Sequence, residues 1–175
     1  SMGNLHLGHK ELIREAKKLK ENLVLLSIFI NPLQFNDKED LRNYPRTINK
    51  DIELAFAAGA DAIFIPSVDE IFPKNEKKIN YLKASEDLSK TLCGISRKGH
   101  FDGVCTVVNR LINIVKPEVI FLGEKDWQQL LIIKEMVAKN NIRVAIKSID
   151  TQRDLDGIPY SSRNNLLLKN EREKL

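Results

Sequence analysis

The chain lacks most of what small scaffolds use in place of a core. Of 175 residues only two are cysteines, Cys93 and Cys105, and they form no Cys-x-x-Cys pair. Disulfide and zinc frameworks drop out, and reduced thiols in a cytoplasmic setting are expected. Long apolar runs are missing too: the most hydrophobic stretch, residues 23–30, is broken by Ser27 and falls far short of the ~18 to 20 residues that cross a bilayer. No membrane partner is expected, and no apolar leader suggests secretion. Charge of one sign is also absent, since 28 Lys+Arg against 24 Asp+Glu leaves +4, mixed along the chain. That balance suits no dedicated nucleic-acid surface. Repeats and low-complexity tracts are lacking. What remains is 42% hydrophobic residues, enough for one domain, 1–175, with an apolar core.

Periodicity supplies the elements. Leu12, Ile13, Ala16 and Leu19 recur at helical spacing. Residues 23–30 follow without alternation, the pattern of a strand covered on both faces, and stop at Asn31-Pro32. Ile48, Ile52, Ala55 and Phe56 predict a second helix, ended by Gly59 in a left-handed cap before a strand at 62–65. A strand at 79–82, a short helix at 85–90 and an exposed basic loop carrying Arg97 and His100 come next. Val104, Val107, Val108, Leu111, Ile112 and Val115 form the cleanest stripe; a strand at 119–122, a helix through Leu130, Ile133 and Val137, and a strand at 143–149 complete the series. Alternating strands and helices predict an α/β fold with a doubly wound parallel sheet.

In such sheets ligands bind where strands end, and polar clusters stand at those places. Gly3-Asn4-Leu5-His6-Leu7-Gly8-His9 opens the first helix; His6 and His9 suit phosphate oxygens and, when protonated, would stabilise a departing pyrophosphate. Capping the helix is their plainer role. No local carboxylate or cysteine completes a metal set around them. Asn31-Pro32-Leu33-Gln34 ends the apolar strand, and its neutral amides suit hydroxyls and carboxylates. Gly123-Glu124-Lys125-Asp126-Trp127-Gln128-Gln129 sets Lys125 near a phosphate position, and Ser161-Ser162-Arg163-Asn164 can grip a triphosphate. Ordinary turns and helix caps account for each cluster taken alone.

Together these clusters resemble pantothenate synthetase, the pantoate-β-alanine ligase family. Met-Gly-Asn-Leu-His-Leu-Gly-His, Ser-Ile-Phe-Ile-Asn-Pro-Leu-Gln-Phe, Tyr-Pro-Arg-Thr, Gly-His-Phe-Asp-Gly-Val, Gly-Glu-Lys-Asp-Trp-Gln-Gln and Ser-Ser-Arg-Asn stand in the family's order. The resemblance implies a Rossmann-like domain of the nucleotidyl transferase type. It activates pantoate with ATP to pantoyl adenylate and pyrophosphate, and β-alanine then yields pantothenate and AMP. It implies catalytic roles for His9, His6, Lys125 and Arg163. ATP contacts are implied at Met2, Gly3, His6, Gly8, His9, Gly123, Glu124, Lys125, Asp126, Gln152, Tyr160, Ser161, Ser162 and Arg163, and pantoate contacts at Gln34, Gln129 and Asn31. Mg2+ would accompany ATP, and no protein-held metal is expected after Tyr-Pro-Arg-Thr, because Lys50 stands beside Asp51 where some members carry two acids. The resemblance also implies a homodimer for the full-length protein. Its leading strand and its C-terminal lid domain have no counterpart in this stretch. A class I aminoacyl-tRNA synthetase fragment is the alternative enzyme, without its Lys-Met-Ser-Lys-Ser loop; a non-catalytic nucleotide-binding fragment is the alternative module.

Overall fold

A computed structural model describes residues 3–19, 23–74 and 81–164. Helix α1 (Leu7–Lys17) turns Ile13 inward, and strand β1 (Leu25–Ser27) follows. A 3-10 turn, Pro32–Gln34, comes next; Pro32 there has no N–H to lose and a φ already set for the turn. Helix α2 (Lys38–Asn43) is capped by the Asp37 carboxylate, which accepts from the Glu39 N–H. Helix α3 (Ile48–Ala58) ends at Gly59 with φ 106°, the left-handed cap the sequence predicts. Strand β2 (Ala62–Phe64) and the short helices α4 (Val68–Ile71), α5 (Glu86–Ser89) and α6 (Cys93–Ser96) lead to the long α7 (His100–Val115). Strand β3 (Val119–Gly123), a 3-10 turn Glu124–Asp126, helix α8 (Trp127–Lys139) and strand β4 (Ala145–Ile149) complete the order. No described helix is long and apolar enough to cross a membrane.

The strands are parallel, but they stand as two pairs. β1 lies beside β2 with Leu25 opposite Ala62, and β3 beside β4 with Val119 opposite Ala145. Between β1 and β3 runs a cleft of about 540 Å3, walled by Leu12, Leu25, Val104, Leu111, Ile120 and Leu122 among others. The cleft corrects the expectation of a strand covered on both faces. Val24, Leu26 and Ile28 are buried, whereas Leu23 and Leu25, which border the cleft, are 86% and 42% exposed. The expected strand at 79–82 falls partly outside the described residues, and Tyr81 and Leu82 are not in a strand.

Each pair has its own core. Leu5, Ile13, Leu26 and Ala55 pack between α1, β1 and α3. Phe101, Cys105, Ile132 and Ile133 pack between α7 and α8, with Ile120 and Ile146 of β3 and β4 against them. Helix α1 touches β3 and β4 as well as α3, and α7 packs on the Pro32–Gln34 turn and on α4, so helices tie the halves together. The approach of α7 to that turn depends on Gly103: a Cβ there would lie 2.4 Å from the Leu33 carbonyl oxygen. Backbone cannot yield cheaply at that distance. We therefore expect Gly103→Ala to cost ~1 to 3 kcal/mol in urea unfolding, while Gly123→Ala, where a Cβ meets nothing within 4 Å, stays within ~0.5 kcal/mol of the parent.

Candidate active site

The site begins at a buried carboxylate. Asp51, on the first turn of α3, is 1% exposed. Its Oδ2 accepts the Asn4 N–H at 2.9 Å and its Oδ1 the Leu5 N–H at 2.7 Å, with the Thr47 hydroxyl also donating at 3.0 Å. Asn4 occupies the left-handed region, φ 52°, which asparagine tolerates better than most residues. With these bonds made, residues 3–6 deliver His6 as the N-cap of α1. Asp51 lies on the apolar stripe of α3, four residues before Ala55. An acid on such a stripe is the sequence signal of a structural carboxylate, which a comparison with metal ligands alone overlooks.

His6 and His9 stack, ring centroids 3.8 Å apart. The His9 Nδ1 accepts the His6 backbone N–H at 3.3 Å, which leaves the proton of the neutral ring on Nε2. The His6 Nδ1 is buried with no partner among the described residues. Gly8 makes room for the pair, since a Cβ there would stand 3.2 Å from the His6 ring. Burial, helped by the nearby Lys125 ammonium, lowers His6 from its ordinary 6.5 to about 4. Burial likewise pushes His9 down to about 3, helped by His6 and Lys125. Both rings are neutral at pH 7 in the absence of ligand. Desolvation and a neighbouring cation oppose the charge that a phosphate partner would have to compensate.

The other clusters converge on this pair unequally. Lys125, exposed on the turn after β3, acts electrostatically on both rings, and Asp126 beside it acts on His6. Gly123 and Glu124 sit at the same strand end. Tyr160 lies with its ring 6.5 Å from that of His6. The Asn4 amide donates to the Ser162 carbonyl at 3.2 Å, and the Ser162 and Tyr44 hydroxyls pair at 3.1 Å. The Ser161 Oγ accepts the Arg163 N–H at 3.2 Å. Gln152 donates to the Asp150 carbonyl and takes the Tyr160 N–H on its own carbonyl. Gly3 packs on Ile30 and Tyr44. Arg163 is the member not delivered: it pairs with Asp40 at 3.2 Å and lies over the Tyr44 ring. Met2 lies outside the described residues.

Gln34 and Gln129 both line the cleft between β1 and β3. Their neighbours do different work. Asn31 is fully buried; its Oδ1 accepts the Leu33 N–H at 3.1 Å and its Nδ2 donates to the Gly103 carbonyl at 3.0 Å, so it stands behind Gln34. Gln128 is a clasp, with Nε2 donating to the Leu88 and Thr91 carbonyls and Oε1 taking the Cys93 N–H. His100, expected on an exposed loop, is 7% exposed at the start of α7, because Gly99 at φ 75° turns the chain into the helix there. Among the described residues no three acids, histidines or cysteines are grouped to hold a metal. Asp51 has its oxygens on backbone amides instead.

The sequence profile of the Pantoate-beta-alanine ligase family matches residues 1–175. The chain belongs to the pantoate-β-alanine ligase family. It is 62% identical over 173 residues to the bifunctional pantoate ligase/cytidylate kinase of Prochlorococcus marinus strain MIT 9301, a match covering 99% of this chain and 34% of that protein. Among solved structures it resembles pantothenate synthetase from Thermus thermophilus, with TM-score 0.92, 40% identity, and coverage of 99% of this chain and 62% of that one. Pantoate-beta-alanine ligase from Francisella tularensis, complexed with beta-gamma ATP and beta-alanine, gives TM-score 0.91 at 40% identity over 98% of this chain and 65% of that one. The chain thus spans about a third of the curated relative and under two thirds of the solved ones. The pairing of parallel strands and helices is that of the ligase family's nucleotidyl transferase-type fold.

The lowered histidines set a pH dependence. A histidine whose folded value lies below 6.5 is protonated first in the unfolded chain, so its stability contribution is whole above pH 6.5 and is lost as pH falls toward 4 and then 3. Unfolding free energy should drop by on the order of 2 kcal/mol for each of the two rings between pH 7.5 and 5, and a His6→Asn, His9→Asn double variant should lose most of that slope. Ring titrations by NMR near 6.5 in the folded protein would contradict the assignment.

Proposed function

We propose that this chain is the ATP- and pantoate-binding part of a pantoate-β-alanine ligase. The observation that carries the reading is the convergence at one end of the strands of the stacked His6–His9 pair, Lys125 and Ser162, with Gln34 and Gln129 on the adjoining cleft. A pantoate carboxylate oxygen attacks the α-phosphorus of ATP; the bond to the β-phosphate oxygen breaks, and pyrophosphate leaves. The β-alanine amine then attacks the acyl carbon of pantoyl adenylate, releasing AMP and forming the amide. The solved relative named with ATP and β-alanine supports this pair of substrates.

The residues fit those steps. His9 Nε2–H can donate to a phosphate oxygen without carrying charge, and Lys125 supplies the positive charge that grows in value as pyrophosphate departs. Bound triphosphate favours the protonated rings, so ATP should raise both histidines from their ligand-free values. Arg163 joins by exchanging Asp40 for phosphate, a stronger charge-assisted partner. The amides of Gln34 and Gln129 bind pantoate and align its carboxylate. Mg2+ would accompany ATP and supply further positive charge at its phosphates. A cytoplasmic location and a homodimeric full-length protein complete the reading.

The full-length protein should form AMP only when ATP and pantoate are both present, and pantothenate only when β-alanine is added. Absence of pantoate-dependent AMP formation would overturn the proposal. In single-turnover adenylation, His9→Ala should lower the rate by ~10² to 10³. Gln129→Ala should weaken pantoate binding by ~1 to 3 kcal/mol, whereas Gln128→Ala should lower stability and leave pantoate affinity within about twofold.

A further inference from the structure

We propose that His100 is a positioning residue for pantoate, acting through the backbone of Gln34; this rests on the reading of Gln34 as a pantoate ligand. The His100 Nδ1 stands 2.7 Å from the Gln34 carbonyl oxygen. A carbonyl only accepts, so Nδ1 carries the hydrogen and donates it. Burial lowers the His100 value, so near pH 7 the ring is neutral with Nε2 unprotonated. Its plane is fixed edge-on against Phe101, centroids 4.9 Å apart.

Within the turn the Asn31 Oδ1 accepts the Leu33 N–H and the Asn31 Nδ2 stands 3.5 Å from the Gln34 Oε1; three further contacts hold the Pro32–Gln34 turn from outside, all from the first turn of α7. Asn31 donates to the Gly103 carbonyl, Gly103 packs beneath the Leu33 carbonyl, and His100 donates to Gln34. The first two fix the beginning and middle of the turn. Of the three, His100 alone fixes the residue whose side chain lines the cleft. No backbone N–H among the described residues donates to that carbonyl. A shift of one ångström in a substrate-aligning group costs much of its binding, so the imidazole sets where the Gln34 amide can reach.

Steady-state kinetics of the full-length enzyme test this, with His100→Phe, His100→Asn, His100→Gln, Gln34→Ala and the Gln34→Ala/His100→Phe double variant. An asparagine amide can occupy the place of Nδ1, whereas a glutamine amide occupies that of Nε2. We expect His100→Phe and His100→Gln to raise the pantoate KM about tenfold, with the ATP KM within twofold. His100→Asn should stay within about threefold of the parent. The double variant should be no worse than Gln34→Ala. If His100→Phe does not fold, the contrast between His100→Asn and His100→Gln carries the test. An unchanged pantoate KM in Gln34→Ala overturns the reading of Gln34 and the proposal with it. A raised KM in Gln34→Ala alone, equal effects of His100→Asn and His100→Gln, or additive losses in the double variant overturn the role of His100 and leave Gln34 standing.

Discussion

A single buried carboxylate holds the candidate site in place. Asp51 has no salt bridge among the described residues; backbone N–H groups of Asn4 and Leu5 and the Thr47 hydroxyl satisfy it instead. A carboxylate out of water is stable only when its oxygens are occupied, and here each oxygen receives a strong donor. The same bonds draw residues 4 and 5 across α3 and so fix where α1 begins. The stacked histidines, the contact to Ser162 and the packing of Leu5 in the first core all follow from that placement.

The electrostatics of the site follow from burial before charge. A drop from 6.5 to about 3 for His9 is led by desolvation, with His6 and Lys125 adding to it. Each unit is worth about 1.4 kcal/mol between the two protonation states, so a cationic imidazole is excluded until an anion compensates it. A triphosphate is such an anion. On the proposed reading the site offers neutral donors to an arriving anion, with the cation Lys125 exposed beside them. Such preorganisation is what lets a few groups stabilise a developing pyrophosphate.

Much of this is legible in the sequence. The stripe from Val104 to Val115 and the glycine stop at Gly59 lead to α7 and α3 directly, because period and cap are local properties. The apolar run predicts β1 too long, since the cover on Leu23 and Leu25 depends on what stands across the cleft. The adjacent Gln128 and Gln129 differ in role by rotation around α8: one points at the 88–93 loop and the other at the cleft. Family resemblance selects Gln129; composition cannot. His100 and Asp51 escape a local reading for the same reason, as each bonds to a segment 47 to 66 positions away. Arg163 is bound to Asp40, a pairing that spans 123 positions and no local pattern announces.

The claim that Asp51 builds the nucleotide site is tested most directly by titrating ATP into the parent and into Asp51→Asn. Asparagine is isosteric, but it presents one oxygen where two backbone N–H groups need an acceptor each. With circular dichroism confirming a folded variant, the account predicts ATP binding at least about tenfold weaker, the cost of about one unpaired buried donor. An ATP affinity within twofold of the parent would show that the histidine loop holds its place without the carboxylate.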